Sequence, residues 1–165
     1  MPSDIQVTNI KASDGTAGLV IADSSGQVTG TLGSATVFPA GHVIKTTSFI
    51  STAGNTDESS GSYANSSITS GSYSHGSGNK ILIMCHLKLR TTGEGWYVTI
   101  DGATGNYESE YYTHDGTHIE EQNLMWLDSP SGTSTTYTVK FKRNSSGTAT
   151  FYNNRSSMVL QEIKG

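Results

Sequence analysis

The residues best suited to chemistry are most concentrated in THDGTHIEE, which holds His114, Asp115, His118, Glu120 and Glu121. His-x-x-x-His on a helix puts two imidazoles on one face, a spacing that suits zinc. Here Asp115-Gly116 reads as a turn, so the two rings need not converge and a structural role is the expectation. SHGSG at 74–78 sets His75 among serines, without a Gly-x-Ser-x-Gly elbow or an ordered acid, base and nucleophile. Cys85 and His86 are adjacent, but neighbours on a strand point to opposite faces, so thiol and imidazole do not pair. Cys85 lies in an apolar run and reads as a small buried hydrophobe. Acids are few: Asp101, Glu108, Glu110 and Asp128, with those already named, allow a glycosidase pair in principle, but nothing singles out two of them. GEGW and DGATGN lack the Lys-Ser/Thr that follows the glycines of a phosphate loop. The expectation is a protein with no catalytic residues, no metal and no cofactor.

Aromatic residues offer a second kind of site. YESEYYTHDG brings Tyr107, Tyr111, Tyr112 and His114 near loop ends, with Trp96 close in sequence. Aromatics beside acids and asparagine suit a sugar face by stacking and hydrogen bonding. They suit a protein interface as well, and partial packing into the core is the third reading. These five are the surface-binding candidates.

The elements that must position such residues are strands. KILIMCHLKLR at 80–90 puts Ile81, Ile83, Cys85, Leu87 and Leu89 on one face without a break. Its other face runs from apolar Leu82 and Met84 to cationic Lys88 and Arg90. One face is therefore core throughout. The other is expected to be covered near 82–84 by a loop of the chain or by a second subunit. GWYVTIDGA turns Trp96, Val98 and Ile100 inward, and TTYTVKFKRN does the same with Tyr137, Val139 and Phe141. TATFYNN alternates Ala149 and Phe151, and SSMVLQEIKG sets Met158 and Leu160 against Val159 and Ile163. HVIKTTSFIST alternates cleanly after the turn FPAG. THIEEQNLMWLDS opposes Leu124 and Trp126 to Met125 and Leu127; Glu120-Glu121 would suit a first helical turn, but the surrounding strands favour a strand. Residues 53–79 hold few apolar side chains and read as a long loop, or a loop plus one edge strand around SITSGSY. The recurrence of GSY at 61–63 and 71–73 reads as chance in a Ser/Gly-rich stretch.

Eight or nine short strands at regular spacing after residue 36 predict an all-β antiparallel sandwich, with a jelly roll as its leading form. Residues 1–36 form a separate region with two or three weaker strands, among them DIQVTNIKA and AGLVIA. It has too little apolar mass for a core of its own. The division is thus an arm at 1–36 and a sandwich at 37–165. Ile5, Val7, Ile10, Leu19, Val20 and Ile21 are the arm residues expected to meet a neighbour.

Composition agrees with this. Of 165 residues, 33% are hydrophobic and 15% charged, both low, and 19 glycines stand against 3 prolines. That is a turn-rich β-protein with a polar, weakly charged surface. A net charge of −4 supplies no basic face for nucleic acid. Lys140 and Lys142 share one strand face and read as solvated. The single cysteine makes no intramolecular disulfide, which fits assembly in a reducing cytosol. MPSDIQVTN lacks the features of a signal peptide, and no run approaches the length of a transmembrane helix.

NIKASDGTAGLVIADSSGQVTG resembles segments that recur in tail-fibre and other virion structural proteins of tailed bacteriophages, especially those of marine and cyanobacterial hosts. There a polar turn leads to a short strand, then a DSSG-type turn and another strand. VFPAGHVIK, GWYVTIDG, and the hairpin TYTVKFKRNSSGTATFYN followed by SSMVLQEIKG are similar too; 53–79 carries little of the likeness. The resemblance implies a non-enzymatic virion protein assembled in the host cytoplasm. It implies an oligomer, commonly a trimer, with an N-terminal part that docks on the particle and a sandwich that projects outward. A short fibre or knob, in contact with other virion proteins and a host surface glycan, is the leading role. A capsid decoration (cement) protein is the alternative, and a carbohydrate-binding or carbohydrate-active sandwich is the rival outside that class. No nucleic acid partner and no membrane insertion are expected.

Overall fold

The computed structural model describes the backbone of Asn9–Lys11 and Ala17–Val20, and residues 39–105, 107–114 and 116–165 in full. The chain divides into two compact units, Met1–Val37 and Phe38–Gly165.

In the first unit, β1 (Asn9–Lys11) and β2 (Ala17–Val20) pair antiparallel, with Asn9 opposite Val20 and Ile10 opposite Leu19. The register shifts after Ile10. The pairing follows from β-forming residues on both sides of a Ser-Asp-Gly-Thr turn signal. Of the arm residues singled out above, Ile10, Leu19 and Val20 sit on these strands; Ile5, Val7 and Ile21 lie outside the described residues.

The second unit begins with β3 (Val43–Ile50), β4 (Thr56–Glu58), β5 (Ala64–Thr69), β6 (Tyr73–Ser74) and β7 (Lys80–Thr91). It continues through β8 (Gly95–Asp101), β9 (Glu108–Tyr112), β10 (His118–Asp128) and β11 (Ser134–Thr135) to β12 (Thr138–Arg143), β13 (Ala149–Phe151) and β14 (Ser157–Ile163). One sheet is four ribbons wide. β3 and β4 run end to end along its edge, then β14 and β13, then β7, then β10. The other sheet has the order β5-β12-β8-β9, and β6 and β11 form a short ladder of their own. Every pairing is antiparallel. The chain is thus an all-β sandwich.

Alternation explains which faces meet. Ile81, Ile83, Leu87 and Leu89 of β7 are fully buried, as are Trp96 and Val98 of β8 and Val139 and Phe141 of β12. They share one core with Phe151, Met158 and Leu160. Phe141 and Phe151 pack across the two sheets with ring centroids 5.3 Å apart. THIEEQNLMWLDS is strand, not helix: β10 pairs with β7 through all eleven of its residues. Between β13 and β14 a 3-10 turn, Asn153–Arg155, interrupts the ribbon. Asn153 is buried there and holds the corner together. Its amide donates to the Gly54 carbonyl at 2.6 Å and to Thr56 Oγ1 at 2.9 Å, and its Oδ1 accepts from the Ser67 backbone at 2.8 Å.

The segment 53–79 is more ordered than its composition suggests. It supplies β4, an edge strand β5 that starts three residues before SITSGSY and shares its first three, and β6. Few apolar residues are needed because buried carboxylates tie it down. Glu58 accepts from Ser60 N–H at 2.5 Å, Gly61 N–H at 2.8 Å and Arg143 N–H at 2.9 Å. Glu162 accepts from Gly76 N–H and Asn79 Nδ2, both at 2.6 Å.

Candidate functional site

Among the described residues the histidine and cysteine candidates lie apart. His114 is exposed and His118 is half-buried on β10, while Asp115 lies outside the described residues. Among the described residues no group of three His, Cys, Asp or Glu is placed to hold a metal ion. His75 is buried, with Nε2 3.2 Å from Thr135 Oγ1 and Nδ1 3.2 Å from the Gly76 carbonyl. Cys85 is buried on the inner face, and burial pushes its thiol up to about 12. His86 points to the outer face, where its Nδ1 lies 3.0 Å from Asn123 Oδ1. The strand separates thiol from imidazole, as alternation requires.

The five aromatic candidates divide. Trp96 is fully buried and stacks on Tyr111 at 5.2 Å, so it is core and presents nothing to a ligand. Its inward position follows from the same alternation that buries Val98 and Ile100. Tyr107 and Tyr111 are half-buried between β9 and β10. The Tyr107 hydroxyl donates to the Leu127 carbonyl at 2.6 Å and the Tyr111 hydroxyl to Glu120 Oε1 at 3.1 Å. Tyr112, 63% exposed, and His114 alone of the five face solvent openly.

The first candidate surface is the outer face of the β7 sheet, built by register. Met84 sits opposite Met125 on one side and Val159 on the other, with Ser48 beyond. One step along, Leu82 sits between Leu127 and Gln161, with Thr46 beyond; one step back, His86 sits between Asn123 and Ser157, with Ile50 beyond. No Asp, Glu, Lys or Arg occupies any of these twelve positions across four ribbons. Met125 is 68% exposed, Leu127 47% and Ile50 77%. Leu82 and Met84 themselves are half-buried between these neighbours. Around Met84, Met125 and Val159 the surface dips into an open depression of about 490 Å³. Beyond His86 the face becomes charged: Lys88 Nζ lies 2.7 Å from Glu121 Oε1. That bond and the lysine's charge hold the Glu121 carboxyl below its ordinary value.

The second is the outer face of the β12 sheet, where the spacing missed a polar cluster. Lys142 Nζ lies over the Tyr63 ring at 4.4 Å and the Tyr97 ring at 4.5 Å. The Tyr63 hydroxyl donates to Glu108, and Asn144 Nδ2 donates to Glu110 Oε1 at 3.2 Å. Desolvation and the bond to Glu108 raise the Tyr63 hydroxyl well above its usual range. Beside them Lys140 Nζ pairs with Asp101 at 2.9 Å. The legible sign was Lys140 and Lys142 alternating with a buried Val139 and Phe141. The partners come from far away in sequence: Tyr63 just before β5, Tyr97 and Asp101 on β8, and Glu108 and Glu110 on β9.

Among the described residues no helix is long and apolar enough to cross a membrane. No protein-family model matches the chain, and no curated protein is significantly similar to it in sequence.

Proposed function

We propose that this chain is a non-enzymatic structural protein of a tailed-phage virion, a short oligomeric fibre or knob that is trimeric in solution and on the particle. In this reading the first unit is the attachment arm and the sandwich projects toward the host surface. The observation that carries it is the outer face centred on Met84 and Met125, where six of twelve positions are apolar, none is Asp, Glu, Lys or Arg, and Met125, Leu127 and Ile50 are exposed. Contiguous exposed apolar surface of this kind belongs to proteins that work assembled. Two further features support the reading. The chain passes repeatedly between the sheets, and its ribbons lie in the order first-eighth-third-sixth in one sheet and second-seventh-fourth-fifth in the other. This supports a jelly roll, two Greek keys folded into two sheets. The hairpin of β1 and β2 is too small to bury a core alone, which suits a docking segment.

The test is the copy number and position of the protein on purified particles, by quantitative mass spectrometry and labelled antibody. A few copies at the tail or at a fibre base, with loss of adsorption when the gene is deleted, fit the fibre. Hundreds of copies over the capsid, with a lowered capsid melting temperature on removal, fit the decoration alternative. Absence from particles rejects both.

The Tyr63-Tyr97-Lys142 cluster with Glu108 and Glu110 favours a second reading, a sugar-binding face, since rings, carboxylates and amides together suit hydroxyl-rich ligands. A glycan array with the free protein tests it. Binding lost in Tyr97→Ala supports that face, and an array without signal rejects it.

A further inference from the structure

We infer that the outer face of the β7 sheet is covered by a second copy of this chain, an assignment that rests on the oligomeric reading above. Three features name the occupant. First, area: β7 is twelve residues long, and four ribbons at ordinary strand spacing make a face of about 750 Å², an uncharged centre of about 400 Å² with a charged rim at either end. A standard stable interface takes about 800 Å² from each partner. The face is therefore the right size for one protein neighbour and larger than a small ligand needs.

Second, charge. The twelve central positions carry no Asp, Glu, Lys or Arg; in the next rows stand Lys88, paired with Glu121 at 2.7 Å, at one end and the exposed Lys80, opposite Ile163, at the other. Recognition of a foreign partner draws specificity and encounter rate from complementary charge. A centre without charged side chains offers no such code, and the surface of a second copy covers it without repulsion there, by the head-to-tail contact that a trimer requires. Third, texture. Met84 and Met125 stand side by side, bordering an open depression of about 490 Å³. Methionine is unbranched and fills irregular gaps, so the depression accepts an apolar side chain from a neighbour. In the isolated chain Met125 and Leu127 are held out to water at 68% and 47% exposure, which a covering copy relieves.

The test uses the full chain. Light scattering coupled to size exclusion over a dilution series gives the mass of the wild type and of Met125→Asp and Leu127→Lys. Both positions are exposed, so both variants are expected to keep the wild-type far-UV spectrum. A wild-type oligomer whose dissociation constant rises by at least about 100-fold in both variants supports the proposal, since each would bury an unpaired charge. A second readout needs no folding assumption: peroxide oxidation of Met125, followed by peptide mass spectrometry, should be several-fold slower in the wild-type oligomer than on its dilution to monomer. A wild type that is monomeric at every concentration overturns the proposal. So does an oligomer that both variants leave intact and in which Met125 oxidises as fast as in the monomer. That last result leaves the virion reading standing, because copies would then meet elsewhere. Absence from particles would reject the virion reading and leave this face assigned.

Discussion

The two outer faces of the sandwich are made from the same number of ribbons and the same kind of strand, and they are finished in opposite ways. On the β12 sheet each charged side chain named has an answer within its own sheet or loop: Lys140 on Asp101, Lys142 between two tyrosine rings, Tyr63 on Glu108, Asn144 on Glu110. Water completes such a surface without further help. On the β7 sheet the central rows hold methionine, leucine and valine where a one-sided sheet would place polar residues. One strand shows both finishes. β7 carries Leu82 and Met84 outward at its start, then Lys88 and Arg90 at its end. Alternation says which residues face the core; where it yields apolar residues on both sides, as at Leu82 and Met84, it does not say what the second side meets.

This contrast can be broken most sharply by two consecutive residues. Ile83→Ala should cost about 2–5 kcal/mol in a denaturant titration, because Ile83 is fully enclosed. Met84→Ala should cost under about 1 kcal/mol in the monomer and act mainly on assembly. Equal costs in the monomer would mean that the outer face is as enclosed as the core.

Next in size is Glu58, which joins β4 of one sheet to the end of β12 in the other. Burial pushes its carboxyl up, but backbone N–H groups of Arg143, Ser60 and Gly61, with the Ser60 hydroxyl, outweigh this and leave it below the ordinary 4.5. The folded state therefore binds the Glu58 proton less readily than the unfolded chain does. Its contribution to stability is complete above the unfolded value and is lost as pH falls through the folded one. Glu58→Gln should cost about 1–3 kcal/mol at neutral pH and flatten the acid limb of the stability curve. An acid limb that keeps its slope in the variant places the titrating group elsewhere.

A smaller loss, about 0.5–1 kcal/mol, is expected for Lys142→Gln, from cation-π contact with Tyr63. Thermal melts should show it equally in dilute and concentrated protein, in contrast to substitutions at Met125, whose effect should depend on concentration. The smallest effect is none at all: with its thiol at about 12 and buried, Cys85 should resist iodoacetamide at neutral pH until the chain unfolds. Alkylation of the native protein would show that the inner face opens readily.

Much of this was legible in the sequence, though unevenly. KILIMCHLKLR, GWYVTIDG and TTYTVKFKRN show uninterrupted apolar positions at period two, and their inner faces are the core. β4 was illegible because Thr56-Asp57-Glu58 contains no apolar residue; its strand form comes from backbone pairing with β13 and from the carboxylate beneath it. β5 was only partly legible: SITSGSY marks its second half, but Ile68 is its one large buried apolar residue, and a single position sets no bounds. Trp96 fell to two opposed readings, inward by alternation and outward by its aromatic neighbours, and alternation prevailed. The oddity of the outer β7 face was visible in Leu82 and Met84 and in Met125 and Leu127. That these four lie together was not.

What the sequence determined by itself is the side of the strand each residue takes, since that depends only on local alternation along an extended backbone. From this follow the all-β class, the core and the existence of two-sided apolar strands. The tertiary structure alone decided which strand lies beside which. Met84 meets Met125 and Val159, and Lys142 meets Tyr63 and Tyr97, across separations of tens of residues. Such neighbours are chosen by burying all inner faces at once and by buried groups such as Glu58 and Asn153 that admit one register, and no local pattern encodes that choice.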